Sequence, residues 1–236
     1  MKKIMIFCLA LLLAGAATAK AQDTVEPTVG VGLVSDYVWR GFHLGDVSVQ
    51  PELGISYQGL SLSAWGSVGL SNPADTKELD LTLGYEVGGF SISVTDYWFN
   101  VGPDLLGRYF QYAADRTNHV FEATVGYDFG FLSLAWSTNF AGNDGVNKAG
   151  NRAYSSYAEL NVPFFFGGVD WTATAGVVPY ATDFYLADNF ALVNLALTAE
   201  KEIPVTDSFS IPVFAQLAAN PLTRDLFLVL GLSLGL

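Results

Sequence analysis

The residues of this sequence that could do chemistry are charged side chains spaced at alternate positions along otherwise apolar segments. The candidates on the polar face of these segments are Asp36, Arg40, Glu52, Asp80, Glu86, Glu122, Glu159 and Asp170. Carboxylates that line a narrow, low-dielectric passage attract cations and repel anions. We therefore expect these residues to line a lumen, with Arg40 paired to one or more of the acids.

Nucleophilic catalysis needs a histidine beside a serine and an acid or amide. The chain has two histidines, His43 and His119, and the sequence identifies no strand-borne serine partner for either. It contains no HExxH run and no cysteine pair. We predict no catalytic residues, no cofactor, no metal site and no enzyme activity.

The elements that must position these side chains are β-strands. Residues 47–58, VSVQPELGISYQ, alternate between apolar and polar or small residues, which is the pattern of a strand with two different faces. The same alternation recurs along the chain, from a first strand at Thr28 to Arg40 to a last one at Leu226 to Leu236. It loses its regularity near Asp96, where we expect a bulge. The sequence predicts about twelve strands.

The connections between these segments alternate in length. Short turns such as QG and GG alternate with longer loops such as SNPADTK, and KEIPVTD is the one intermediate case. An even number of strands with this alternation is typical of outer-membrane barrels. We predict an all-β fold, a transmembrane up-and-down antiparallel β-barrel. The long Val101–Asn118 connection could enter the barrel mouth or be exposed, and its role stays open.

Either face of such a barrel could in principle face outward. With the apolar faces inward, twelve strands would enclose a lumen too wide for one layer of valine and leucine to fill. Aromatic residues also cluster near both ends of the predicted strands, as in the girdles at the two interfaces of a membrane. We therefore expect the apolar face to contact lipid and the serine- and glutamate-rich face to line the interior.

The N-terminal segment resembles a secretory signal in its organisation. Lys2 and Lys3 precede an apolar run from Ile4 to Leu13, and Ala19-Lys20-Ala21 provides a small-x-small cleavage site. We predict a signal peptide at residues 1–21 and a barrel at residues 22–236, exported to the outer membrane. The formal net charge of −12 argues against nucleic-acid binding.

The stretch SDYVWRG, Ser35 to Gly41, precedes a short loop and a Pro-Glu-Leu-Gly strand, and DYWF at 96–99 precedes NHVFEATVGYDFG at 118–130. In these segments the chain resembles the TorF-type porins of Gram-negative bacteria. The resemblance implies an outer-membrane barrel that acts as a channel, and it brings no catalytic residues and no defined substrate.

The expected function is that of a porin-like channel for small cationic or neutral solutes. Its expected partners are outer-membrane lipid and those solutes, with the oligomeric state left open. The alternative is a closed structural or ligand-binding barrel, because bulky inward residues such as Trp65 and Tyr157 could fill the lumen. An outer-membrane hydrolase is the third and weakest possibility.

Overall fold

A computed structural model describes residues 24–72, 74–100, 107–113, 116–207 and 209–235. The predicted signal peptide at 1–21 lies outside these residues, as do positions 101–106 of the long connection and Leu236 of the last predicted strand. Among the described residues, no helix is long and apolar enough to cross a bilayer.

Twelve antiparallel strands close into a barrel, so the predicted all-β fold, its topology and its strand number are confirmed. The barrel strands are β1 Glu26–Val34, β4 Ser48–Tyr57, β5 Leu60–Gly69, β6 Lys77–Val87, β7 Phe90–Asn100, β8 His119–Asp128, β9 Ser133–Gly142, β10 Ser156–Phe166, β11 Val169–Val178, β12 Ala191–Thr206, β13 Phe209–Asn220 and β14 Asp225–Gly235. Each pairs with its neighbours in sequence, and β1 closes the ring by pairing with β14 and β4.

Two further strands, β2 Tyr37–Trp39 and β3 Phe42–Gly45, form a separate hairpin between β1 and β4. The predicted first strand, Thr28 to Arg40, is therefore too long, because β1 ends at Val34. The predicted loop that followed it contains β3. We call residues 37–45 the plug hairpin, because their side chains fill one end of the barrel.

The lengths of the connections separate the two ends of the barrel. Two-residue turns at 58–59, 88–89 and 167–168 and the four-residue connection 129–132 lie at what we call the turn end. Each connection at the loop end is longer than the connections next to it in the chain. The predicted exception, KEIPVTD, is wrong as a loop, since β12 continues to Thr206 and pairs there with Phe209. Long and short connections therefore alternate without exception along the described chain.

The burial pattern assigns the two faces of the sheet. Outward apolar side chains such as Leu53, Leu62 and Leu83 are more than half exposed, whereas inward Ser67, Asp80 and Glu122 are at most 1% exposed. The polar face therefore lines the interior, and the aliphatic face covers the outside. Alternate positions along each strand take these opposite environments because side chains in a β-strand alternate between its faces.

The expected bulge near Asp96 is wrong. The pairing of β7 with β6 and with β8 runs through this residue without a register shift. Asp96 breaks the hydrophobic pattern because it is a polar residue on the outer face, where its carboxylate meets His119.

Candidate functional site at the barrel mouth

The plug hairpin turns back through a two-residue loop, Arg40-Gly41, between the paired residues Trp39 and Phe42. Both loop residues have positive φ, 51° for Arg40 and 83° for Gly41, as a type I′ turn requires. Arginine seldom adopts this conformation, and strained positions of this kind cluster at functional sites. The turn places the Arg40 side chain in the interior of the barrel.

Gly41 allows the hairpin to pack closely against barrel strand β12. An added Cβ at this position would overlap the carbonyl oxygen of Val193 on β12, so only glycine allows the two backbones to approach this closely. The side-chain amide of Asn220, a fully buried residue on β13, donates a hydrogen bond of 3.1 Å to the Gly41 carbonyl. The hairpin tip is therefore fixed to two barrel strands.

Arg40 reaches across the lumen to Glu122 on the opposite wall. Its two terminal nitrogens donate to the two carboxylate oxygens of Glu122 over 2.6 and 2.9 Å, a bidentate pair. Further hydrogen bonds go to the Ser137 hydroxyl at 3.0 Å and to the Tyr185 hydroxyl. The guanidinium is 12% exposed and the carboxylate 1% exposed, so the pair is shielded from water.

Aromatic rings enclose this ion pair. The guanidinium carbon lies 4.4 Å from the centroid of the Trp39 ring and 4.5 Å from that of Tyr157. Trp39 also packs against Tyr97 and Tyr185, with ring centroids 5.5 and 6.3 Å apart. These contacts close the loop end of the lumen with a small core of its own.

Part of this core comes from the 179–190 connection, which lies outside the barrel strands. Tyr185 of this segment is 1% exposed and packs with Val178, Ala187 and Val193. Burial raises the pKa of the Tyr185 phenol, although neighbouring Arg40 acts in the opposite direction. The phenol therefore stays protonated at neutral pH and remains a neutral partner for the guanidinium.

Arg40 itself lies in the turn between β2 and β3. Burial, the largest single influence, would lower the pKa of the guanidinium. The charge of Glu122 and the hydrogen bond to it, together with neighbouring Tyr185 and Tyr97, outweigh burial and raise the pKa well above its usual value. Arg40 therefore keeps its charge throughout the physiological range of pH.

Two more acids are buried in the loop-end half of β6. The hydroxyl of Tyr37 donates to Glu78 over 2.8 Å, and Tyr37 packs on Trp65 at 5.5 Å. The next inward residue, Asp80, is 1% exposed, and its carboxyl group lies beside that of Glu78. The interior thus holds more carboxyl groups than Arg40 can neutralise.

The other residues predicted to line the lumen lie at different depths. Glu52 is buried inside, and Glu159 accepts hydrogen bonds from Tyr157 and Asn161. Glu86 is exposed near the turn end, and Asp170 is exposed there opposite Glu200. The structure therefore brings Arg40 and Glu122 together and spreads the remaining strand-borne acids along the wall.

Asp36 is not on a barrel strand, in contrast to its predicted position. Since β1 ends at Val34, Asp36 lies at the loop-end rim, with its carboxylate 3.6 Å from the Nε2 atom of His43. The prediction that Asp36 lies on the polar face of the first strand is wrong because the strand was predicted to extend beyond Val34.

The sequence missed a second polar site, on the outer wall. His119 is fully buried there, with Nδ1 2.7 Å from the Asp96 carboxylate and Nε2 2.6 Å from the carbonyl of Tyr109. The ring of Tyr112 stacks on His119 at 4.3 Å. The described part of the long connection, 107–113, therefore packs against the outside of the barrel and not into its mouth.

We expect His119 to hold this segment on the wall. In a His119→Phe variant the ring stacking is kept, but both nitrogen contacts are lost, and each is worth about 1–3 kcal/mol. Trypsin should then cleave after Arg108 at least about tenfold faster, since cleavage follows the population of the open segment. His43→Gln, at the other histidine, should leave the rate unchanged. Equal rates for His119→Phe and wild type would contradict this role.

The fold and its filled mouth define a class: a closed twelve-stranded β-barrel sealed at the loop end by its own hairpin. The family described as "Bacterial protein of unknown function (Gcw_chp)" matches residues 17–210, which is most of the chain. The chain belongs to this family. No curated protein matches the sequence.

Proposed function

We propose that this protein is an outer-membrane β-barrel that acts as a channel for small cationic or neutral solutes, and that the plug hairpin closes the channel at rest. The observation that carries the proposal is the contrast between the two faces of the closed barrel. Aliphatic side chains cover the outside, and carboxyl groups line the inside.

The outer surface supports a membrane location. Large apolar side chains exposed on the barrel wall include Leu53 at 59%, Leu83 at 54% and Leu228 at 62%. Monomeric soluble proteins rarely expose contiguous apolar surface on this scale. At the turn end, exposed rings such as Tyr57, Tyr85 and Phe164 occupy the position of an interfacial girdle. We propose that outer-membrane lipid is the partner of this surface, reached after removal of a signal peptide at residues 1–21.

The interior supports a preference for cations. Glu86, Asp170 and Glu200 lie on the inward face toward the turn end, and Asp80 and Glu52 lie deeper. Arg40, the cation at the centre of the plug, is already paired with Glu122. A solute that enters from the turn end therefore meets a wall lined with carboxyl groups, which favours cations over anions. The resemblance to TorF-type porins supports the same proposal.

The second candidate is a closed structural barrel, and the plug favours it. If the hairpin never leaves the mouth, the ion pair and aromatic rings around Arg40 form a permanent core. A hydrolase is disfavoured, because both ring nitrogens of His119 are engaged by Asp96 and by the Tyr109 backbone. Neither contact supplies a nucleophile, so we propose no enzyme activity.

The purified mature protein in planar lipid bilayers tests the proposal. We expect it to fractionate with outer membranes, to need detergent for solubility, and to give infrequent openings. The reversal potential in a salt gradient should show cation preference, because the lining carries acids. Anion preference, or solubility without detergent, would overturn the proposal. If neither the wild type nor variants that weaken the contacts of the plug hairpin conduct ions, the structural barrel is favoured.

A further inference from the structure

Three side chains that can bind metal ions converge at the rim beside the plug hairpin. The Nε2 atom of His43 lies 3.6 Å from Oδ1 of Asp36 and 3.6 Å from Oδ1 of Asp46. All three donor atoms lie within 4.8 Å of one another. The group does not include Arg40 or Glu122.

The hairpin register brings these residues together. Tyr37 pairs with Gly45, and Asp36 and Asp46 are the residues immediately outside this pair, so they lie side by side at the base of the hairpin. His43 lies on β3, two residues before Gly45. The pairing of β2 with β3 therefore sets the positions of all three ligands.

Neighbouring residues restrict two of the ligands further. The His43 ring stacks on Phe227 of β14, with centroids 5.8 Å apart and planes at 22°. The amide of Asp46 donates to the Asp75 carboxylate over 3.0 Å, and its carbonyl accepts from the Ser48 hydroxyl over 2.7 Å. The ligand positions are thus held by contacts that leave the Nε2 atom and the Asp46 carboxylate available to an ion.

The two nitrogen–oxygen distances fit a small ion with nitrogen and oxygen ligands. Metal–donor distances of about 2.0–2.2 Å in a tetrahedral site place neighbouring donors roughly 3.3–3.6 Å apart. The observed separations of 3.6 Å from nitrogen to each oxygen are too long for hydrogen bonds and close to this value. In the described part of the chain, neither aspartate forms an ion pair with a lysine or arginine, so a cation would relieve their mutual repulsion.

We propose that Asp36, His43 and Asp46 bind one divalent transition-metal ion of the Zn²⁺ type, with water completing the coordination. The imidazole ligand favours such ions over Ca²⁺, which prefers six to eight oxygen ligands. The three side chains are about one-third to one-half exposed, so an ion can enter directly from solvent. The bound ion joins the residue before the plug hairpin to the residue after it and clamps the base of the hairpin.

Calorimetric titration with Zn²⁺ of the purified mature protein, in detergent and without a polyhistidine tag, tests the site. We expect one ion per chain. His43→Gln and Asp46→Asn should each weaken binding by at least about 10–100-fold, a loss that already follows from removing outer-shell partners of metal ligands. Asp188→Asn, which removes an exposed loop carboxylate outside the cluster, should bind as the wild type does. Co²⁺ provides a second readout, because an imidazole–carboxylate site should give visible absorption bands that disappear in His43→Gln.

Absence of stoichiometric Zn²⁺ binding would overturn the site, and so would wild-type affinity in both ligand variants. Tighter binding of Ca²⁺ than of Zn²⁺ would overturn the choice of ion. Folding of each variant is checked by the shift in gel mobility between heated and unheated samples. The titration does not depend on conductance, so the metal site and the channel can fail separately.

Discussion

An Arg40→Ala variant should open far more often than the wild type in planar bilayers. The Arg40 side chain bridges the lumen to Glu122 and is 12% exposed, so its removal breaks a shielded bidentate pair. Breaking a buried pair by removing one partner costs about 3–5 kcal/mol. Because each 1.4 kcal/mol changes an equilibrium tenfold, the ratio of open to closed channels should rise at least about 100-fold.

Two further variants test whether this effect comes from the contact between Arg40 and Glu122. Arg40→Lys keeps the charge but loses the fork that contacts both oxygens of Glu122, so its open probability should lie between those of wild type and Arg40→Ala. Lys148→Ala removes an exposed loop cation that contacts Asn189, and it should behave as wild type. If folded Arg40→Ala conducts no more than wild type, the plug hairpin does not control the lumen.

Gly41→Ala should have the second large effect, again on channel opening. The substitution adds a Cβ where the carbonyl oxygen of Val193 lies and also places alanine at a φ of 83°. Relieving both the overlap with Val193 and the unfavourable φ requires the hairpin tip to move away from β12. We expect the seated hairpin to be lost and the ratio of open to closed channels to rise at least about tenfold, the effect of 1.4 kcal/mol.

Gly150→Ala separates the two causes. Gly150 has a φ of 75°, but nothing lies within 4 Å of an added Cβ, so this variant carries the conformational cost of about 1 kcal/mol without the overlap. It should open as the wild type does. Equal behaviour of Gly41→Ala and Gly150→Ala, with both barrels folded, would show that the close approach to Val193 does not seat the plug.

Strict alternation is what made the barrel predictable from the sequence. Segments such as residues 47–58 specify both the strand and its outward face, because a shift of one residue would exchange every side chain between the outer and the inner face of the barrel. Two-residue turns with glycine, such as Gly88-Gly89, mark the hairpins. The pairing of Arg40 with an interior acid was also expected, since a lone inward cation needs a partner, but its identity as Glu122 depends on the barrel closing.

The plug hairpin was not predicted, because the alternation of β1 continues past Val34 into Tyr37 and Trp39. The signal that could have revealed it is the dipeptide Arg40-Gly41 between Trp39 and Phe42, a two-residue turn with glycine in its second position. The metal-ligand group of Asp36, His43 and Asp46 was missed for the same reason. Its spacing matches no standard motif, and only the hairpin register brings its members together.

The outer-wall site was missed for a different reason. Asp96 and His119 are polar residues at outward positions, so the pattern indicated an irregular strand. In fact, each polar group satisfies the other beneath Tyr109 and Tyr112. The pair forms only when β7 and β8 align and the 107–113 segment packs over them. No local sequence pattern encodes this arrangement.

Both ends of the plug hairpin leave the barrel at the same rim, from β1 at Val34 and into β4 at Ser48. In the proposed channel, the hairpin can therefore move outward about these two adjacent attachment points without breaking any strand pairing of the barrel, because β2 and β3 pair only with each other. Ser35, tied to the Leu230 backbone through its amide and hydroxyl, fixes the first pivot to β14. In the proposed channel, all strand pairs of the barrel therefore stay intact while the plug moves, so a substitution that changes permeability need not change the stability of the barrel.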